Sequence, residues 1–346
     1  MNMKNYFMWI LISATLSFIL TPIMKTLSIK LNILDIPKDK RKIHKNPMPL
    51  LGGVGIYLAF IITILIMRRG SIQRDEIGIL LGALVVLLGG LLDDIVDLKP
   101  YKKLLFQIIS AAIVIYFGVV IKKVTNPFIF YKDTYISIKL FSIPLTIVWI
   151  VGVTNAINLM DGLDGLASGI SLIACITMFF ISILSGRESA SLFTAVLSGA
   201  IIGFIPFNFN PADIFLGDNG AQVLGFLLAS ISIQGTIKSA AAFSIVVPIL
   251  ALGLPIYDTI FAMIRRKING KPIYQADKGH IHHRLLAIGL TQRQVVTIMY
   301  IMSAILGAIS IFAMEISTIS SYFLLLGVVV FIVILAYKSG FFKNRD

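Results

Sequence analysis

Windows of about 20 apolar residues, the length a helix needs to cross a bilayer, recur along almost the whole chain. They fall near 6–24, 51–67, 77–92, 104–121, 141–158, 166–184, 190–206, 220–236, 240–263, 293–313 and 320–338. The pattern predicts an all-α polytopic membrane protein of about eleven transmembrane helices. The first window follows Lys4 and has the look of a secretory signal. However, no small-residue cleavage site follows it, and Thr21-Pro-Ile-Met-Lys25 leads straight into a basic loop, so it reads as a retained span. One connection departs from the helical pattern. Within 122–140, Tyr135-Ile-Ser-Ile-Lys-Leu140 alternates with period two, which predicts a small exterior β-hairpin. No polar stretch is long enough to bury a core of its own, so residues 1–346 are expected to form a single integral membrane domain.

Composition agrees: 57% of the 346 residues are hydrophobic and 14% are charged, against about 25% charged in an ordinary soluble domain. In a soluble protein the net charge of +13 would point to nucleic acid. Here it reflects Lys and Arg gathered in loops on the cytoplasmic side, and no nucleic-acid partner is expected. About two thirds of the basic residues lie in one alternating set of loops, which puts the N-terminus outside and the C-terminus in the cytoplasm. That assignment used only Lys and Arg. It nevertheless brings Asp93, Asp94, Asp97, Asp161, Asp164, Asp218 and all four histidines (His44, His280, His282, His283) to the cytoplasmic face. The loops near 25–50, 93–103, 159–165, 207–219 and 264–292 are therefore expected to build one active site. The single cysteine, Cys175, lies in an apolar run, excludes an internal disulfide and reads as helix packing.

A carboxylate at membrane depth costs roughly 2.5–3.5 kcal/mol on insertion scales, so each acidic knot calls for a reason. Asp93 and Asp94 close the third span, and Asp97 follows one turn on. If the helix continues, Asp93 and Asp97 share a face while Asp94 points elsewhere. Adjacent carboxylates persist best with a cation between them. In Asn158-Leu-Met-Asp-Gly-Leu-Asp-Gly165, helical spacing aims Asp161 and Asp164 the same way, and either can also cap the sixth helix. Asn155 and Asn158 offer amides suited to a base or sugar. Asp218 precedes the eighth span, where a carboxylate binds Mg²⁺ or caps the helix. Asn208 and Phe215 could grip a planar base. In the loop 265–284, three histidines within four residues, with Arg284 beside them, could clamp a diphosphate, bind zinc or form a solvated basic loop. Lys45 abuts Pro47-Met-Pro-Leu-Leu-Gly-Gly53 in a second basic loop. Asp258, inside the ninth span, either joins the cavity or pairs with a nearby polar group.

Taken in order, Asp93-Asp-x-x-Asp97, Asn158-Leu-x-Asp-Gly-x-Asp-Gly165, Asn208-x-x-Pro-Ala212, Gly217-Asp218 and His280-Ile-His-His283 resemble the motifs of the polyprenyl-phosphate N-acetylhexosamine-1-phosphate transferases. The resemblance covers residues 45–284. It implies transfer of a sugar 1-phosphate from a UDP-sugar to a polyprenyl phosphate with release of UMP, assisted by Mg²⁺ with Mn²⁺ as a substitute. By the resemblance, Asp218 is a metal ligand, with Asp94 beside it. Asp93 and Asp94 handle the lipid phosphate, Asp93 as the proposed base. Asn158, Asp161, Asn208 and Phe215 belong to the nucleoside and sugar-diphosphate pocket, and Lys45 with Lys102 or Lys103 lies near the phosphates. His280, His282, His283 and Arg284 cover the sugar.

The chain departs from the phospho-MurNAc-pentapeptide branch, which has Lys where Asp97 stands and His-His-x-x-Glu in place of His280-Ile-His-His283. It is similar instead to the branch that takes UDP-GlcNAc and starts teichoic acid, O-antigen or related glycans. Undecaprenyl phosphate in a bacterial plasma membrane, an active site on the cytoplasmic face and a homodimer follow as expectations. An ion-coupled transporter would also want intramembrane acids, but it would place them near the midplane instead of at one face. The absence of aligned inverted repeats weakens that reading further.

Overall fold

The computed structural model of the chain describes residues 2–37, 46–125, 135–236, 246–272, 279–316 and 318–338. Helices dominate. In chain order they are α1 (Met3–Lys30), α2 (Gly52–Arg68), α3 (Arg74–Val96), α4 (Pro100–Tyr116), α5 (Ser142–Met160), α6 (Leu166–Leu184), α7 (Glu188–Asn208) and α8 (Gly217–Thr236). They continue with α9 (Val246–Ala251), α10 (Gly253–Ile268), α11 (Ile281–Ala287), α12 (Gln292–Glu315) and α13 (Thr318–Lys338). Among the described residues, six helical segments (Met3–Lys30, Arg74–Val96, Lys139–Met160, Leu166–Leu184, Glu188–Asn208 and Gln292–Glu315) are long and apolar enough to cross a membrane. The shorter α2 and the stretch Phe323–Lys338 are apolar as well. Large side chains such as Phe7, Phe18, Leu105 and Phe331 stand exposed on the outside of the bundle, as a protein solvated by lipid requires. The chain is an all-α, multi-span membrane protein.

Two small antiparallel ribbons interrupt the helices. β3 (Lys123–Thr125) pairs with β4 (Tyr135–Ser137) at the expected hairpin. The other, β1 (Leu34–Asp35) with β2 (Met48–Pro49), brackets the basic loop and had no signal in the sequence. The expected span 240–263 is not continuous where it is described. Pro255 has no N–H to offer the carbonyl of Ala251, and the chain breaks at Leu252 between α9 and α10.

At the centre lies α8, buried from Ala221 to Ile233 and packed by α2, α3, α5, α6 and α7. Because successive long helices alternate in direction, the ends of α3, α5 and α7 and the beginnings of α4, α6 and α8 meet at one end of the bundle. That end carries the acidic knots. Packing of α1 on α7 is close enough that a side chain at Gly203 would meet the backbone of α1, the small-residue contact typical of helices in lipid.

Candidate active site

The site is organised by the first turn of α8. Gly217 opens it at φ +74°, a left-handed conformation open mainly to glycine, with the Asp94 carboxylate beside it. Asp94 Oδ1 accepts from the backbone N–H of Asp218 at 2.9 Å. Its Oδ2 accepts from Asn219 N at 3.1 Å and from Asn219 Nδ2 at 2.5 Å. A side chain from α3 thus satisfies the orphan donors that begin another helix, where the helix dipole also favours negative charge. The helix of Asp93 and Asp94 stops at Val96, and Asp97 is an exposed, left-handed C-cap at φ 51°. The expectation that Asp93 and Asp97 share a face while Asp94 turns away is therefore corrected: Asp93 and Asp94 both meet α8, and Asp97 does not.

Asp93 is buried. Its Oδ1 accepts from Leu98 N at 2.8 Å and its Oδ2 is ion-paired with Lys103. Lys103 also reaches Asp218 Oδ2 at 3.4 Å, and Asn158 donates its amide to Asp218 Oδ1. Of the two candidate lysines, Lys103 enters the site and Lys102 remains exposed; Lys45 lies outside the described residues. Below this layer runs a chain of amides. Asn155 Nδ2 donates to Gln107 Oε1 at 2.8 Å, and Gln107 Nε2 donates to Gln222 Oε1 at 3.2 Å. Gln107 and Gln222 were not singled out from the sequence. Their signal was an amide inside an apolar helix, which needs a partner there.

Asp161 ends α5. Burial first, then the fields of Asp218, Asp94 and Asp164, push its pKa well above the usual carboxylate range. Among the described residues no donor reaches its carboxylate. Asp164 behaves differently: its Oδ2 accepts from Asn210 Nδ2 at 2.9 Å and from Ala212 N at 3.2 Å, fastening the 209–216 loop. Asn208 is buried, accepting from Ser168 Oγ at 2.7 Å and donating to the carbonyl of Ile214 at 3.0 Å. Both side chains are committed to the loop. Phe215 is half-buried, its N–H on the carbonyl of Pro49.

In the histidine segment, His280 Nδ1 is 2.7 Å from Asp258 Oδ2, so Asp258 pairs with a polar group. His282 is buried, and burial, followed by the neighbouring His283, holds its pKa down to about 3. His283 and Arg284 are the half-exposed members.

Among the described residues no three His, Cys, Asp or Glu side chains converge as a protein-only metal cage. Mg²⁺ seldom needs one. It takes one or two carboxylates and completes its octahedron with water and substrate phosphates. Here the available ligands are hard oxygens, Asp161 has no donor among the described residues, and four carboxylates (Asp93, Asp94, Asp161, Asp218) crowd together while Lys103 reaches two of them. That surplus fits a divalent cation. Asp218 and Asp161 are the residues that could hold one. Asp94, expected as a second ligand, spends three acceptor positions on α8.

These features define a multi-span membrane protein with an acidic site, reached by Lys103, gathered at one end of its helices. Residues 76–236 match the profile of glycosyl transferase family 4. The chain is 37% identical over 336 residues (97% of this chain, 92% of the relative) to a Bacillus subtilis protein named a probable undecaprenyl-phosphate N-acetylglucosaminyl 1-phosphate transferase. It is 32% identical to the undecaprenyl-phosphate alpha-N-acetylglucosaminyl 1-phosphate transferase of Thermotoga maritima, over 80% of this chain and 79% of the relative. It is 29% identical to a phospho-N-acetylmuramoyl-pentapeptide-transferase of Clostridium botulinum, over 88% and 95%. The chain belongs to glycosyl transferase family 4.

Proposed function

We propose that this enzyme transfers N-acetylglucosamine 1-phosphate from UDP-GlcNAc to undecaprenyl phosphate, releasing UMP and starting a lipid-linked envelope glycan. The observation that carries the reading is the grouping of Asp93, Lys103, Asn158 and Asp161 with Asp218 at the head of the central helix. The names of the Bacillus subtilis and Thermotoga maritima relatives support the sugar and the lipid. The same reading has about eleven crossings, the N-terminus outside, the site opening to the cytoplasm of a bacterial plasma membrane, and a homodimer as the assembly.

Both substrates are polyanions, so charge compensation and positioning dominate catalysis. An oxygen of the lipid phosphate attacks the β-phosphorus of UDP-GlcNAc. The new P–O bond forms as the bond from that phosphorus to the bridging oxygen breaks, and UMP leaves with the electron pair. A phosphate monoester is already mostly ionised at pH 7 (second pKa about 6), so a strong base is dispensable. Asp93 then serves chiefly to hold Lys103 toward the phosphates. Asn158 orients Asp218, and Asn155 is braced by Gln107. Mg²⁺, held by Asp218 and Asp161 when bound, would neutralise charge on the diphosphate.

The test is UMP release by the purified protein in lipid nanodiscs, with UDP-GlcNAc, UDP-GalNAc and UDP-MurNAc-pentapeptide compared. Release should require undecaprenyl phosphate and a divalent cation, and UDP-GlcNAc should be preferred by about tenfold or more. No lipid-dependent UMP from UDP-GlcNAc, or a preference for the pentapeptide donor, would overturn the assignment.

A further inference from the structure

Asp258 is a carboxylate buried to 0% exposure within α10, remote in sequence from every acidic knot of the site. An uncompensated charge there would be costly, and two donors compensate it. Oδ2 faces His280 Nδ1 at 2.7 Å, and Oδ1 accepts from the backbone N–H of Ile281 at 2.9 Å. His280 is the N-cap of α11 but makes no side-chain cap of its own. The cap is supplied instead by Asp258 from the neighbouring helix. Arg265, about two turns further along α10, packs its guanidinium on Gly279, and Arg284 Nε donates to the carbonyl of Gly279 at 3.0 Å.

From this anchor the three histidine rings follow one another in contact. The His280 and His282 rings lie nearly parallel, 12° apart with centroids at 5.9 Å, and His283 follows at 4.2 Å from His282. At the far end, His282 rests on the turn that carries Asp161. A Cβ placed on Gly162 would stand 2.6 Å from His282 Nε2. The ring is buried to 1% exposure and has His280 and His283 against it, so it has nowhere to retreat. Asp258 and Gly162 are thus the two ends of one strut.

We infer that Asp258 is a positioning residue that clamps the histidine segment onto the Asp161–Gly165 turn, so that His283 and Arg284 are held where the sugar diphosphate binds. This rests on the proposed transfer from UDP-GlcNAc and on the expectation, from the family resemblance, that His283 and Arg284 cover the sugar. The role explains why the acid persists in an apolar helix. It also explains why two of the three histidines are internal: they transmit the position of α10 to the site and leave ligand contact to their neighbours.

Two variants attack the strut from opposite ends. Asp258→Ala removes both acceptors without adding bulk at a fully buried position; Gly162→Ala, at an exposed position with ordinary backbone angles, wedges His282 away. In nanodiscs, hydrogen–deuterium exchange of residues 279–287 should quicken by about tenfold or more in both. In the UMP-release assay, KM for UDP-GlcNAc should rise about tenfold or more while KM for undecaprenyl phosphate changes by less than about threefold. Asp258→Asn should recover most of the loss, since its oxygen still accepts from Ile281 and its amide can donate to His280. Unchanged exchange in both variants would overturn the clamp. A uniform fall in turnover with both KM values unmoved would overturn its link to the UDP-sugar. Should the wild-type protein itself release no UMP, the reading of the reaction fails, and the exchange result still decides the clamp.

Discussion

Asp218→Asn is expected to yield a folded protein whose turnover is lower by about a thousandfold or more. The substitution is nearly isosteric. The amide oxygen it introduces can still accept from Asn158, and Lys103 keeps its partner Asp93, so the packing of α8 should persist. What disappears is the charge at the head of the central helix, around which Asp93, Lys103 and Asp161 are arranged. Phosphoryl transfer between two polyanions leans on such charges more than on covalent chemistry. UMP release should be measured beside Asp213→Asn, a control on the loop that leads into α8, whose ion pair with Lys25 is largely exposed. The control should stay within about twofold of wild type. Turnover above a tenth of wild type in Asp218→Asn would contradict the role given to it.

Asp94→Ala is expected to act on stability and activity together. It removes three hydrogen bonds at the start of α8 and the carboxylate that faces the positive end of that helix. Loss of a cap costs typically about 1 kcal/mol, the dipole contribution about 0.3–1, and unsatisfied donors add to both. A total of about 2–4 kcal/mol follows from those contributions. Displacement of Asp218 by even an ångström would lower turnover by about a hundredfold. Asp94→Asn should restore part of the stability, because Asn caps helices about as well as Asp. Thermal unfolding in detergent alongside UMP release separates the two effects. An unshifted midpoint in Asp94→Ala would show that the cap is dispensable.

The all-α, multi-span character was legible because lipid forces runs of about 20 apolar residues, and the shared end of the acidic knots was legible because loop charge alternates. The cap on α8 was not. Local capping rules look two or three residues ahead, whereas Asp94 on α3 caps a helix that begins only at Gly217, in another layer. The same holds for Asp164 and Asn208, whose spacing suggested ligand contacts and whose partners turned out to be the 209–216 loop. Composition made the histidine segment look like a phosphate clamp. The structure places His280 on Asp258 and His282 against the turn at Gly162, contacts that no local spacing announces. Pro255 stood in plain sight as a breaker, yet the apolar run around it read as continuous.

The most direct measurement is phosphorus-31 electron–nuclear double resonance on the nanodisc-embedded protein loaded with Mn²⁺ and UDP, after unbound nucleotide has been removed. If the separated motifs assemble one cation and diphosphate site at Asp218, wild type and Asp213→Asn should both show Mn²⁺ coupled to nucleotide phosphorus, and Asp218→Asn should lose the coupling. An undiminished coupling in Asp218→Asn would contradict it.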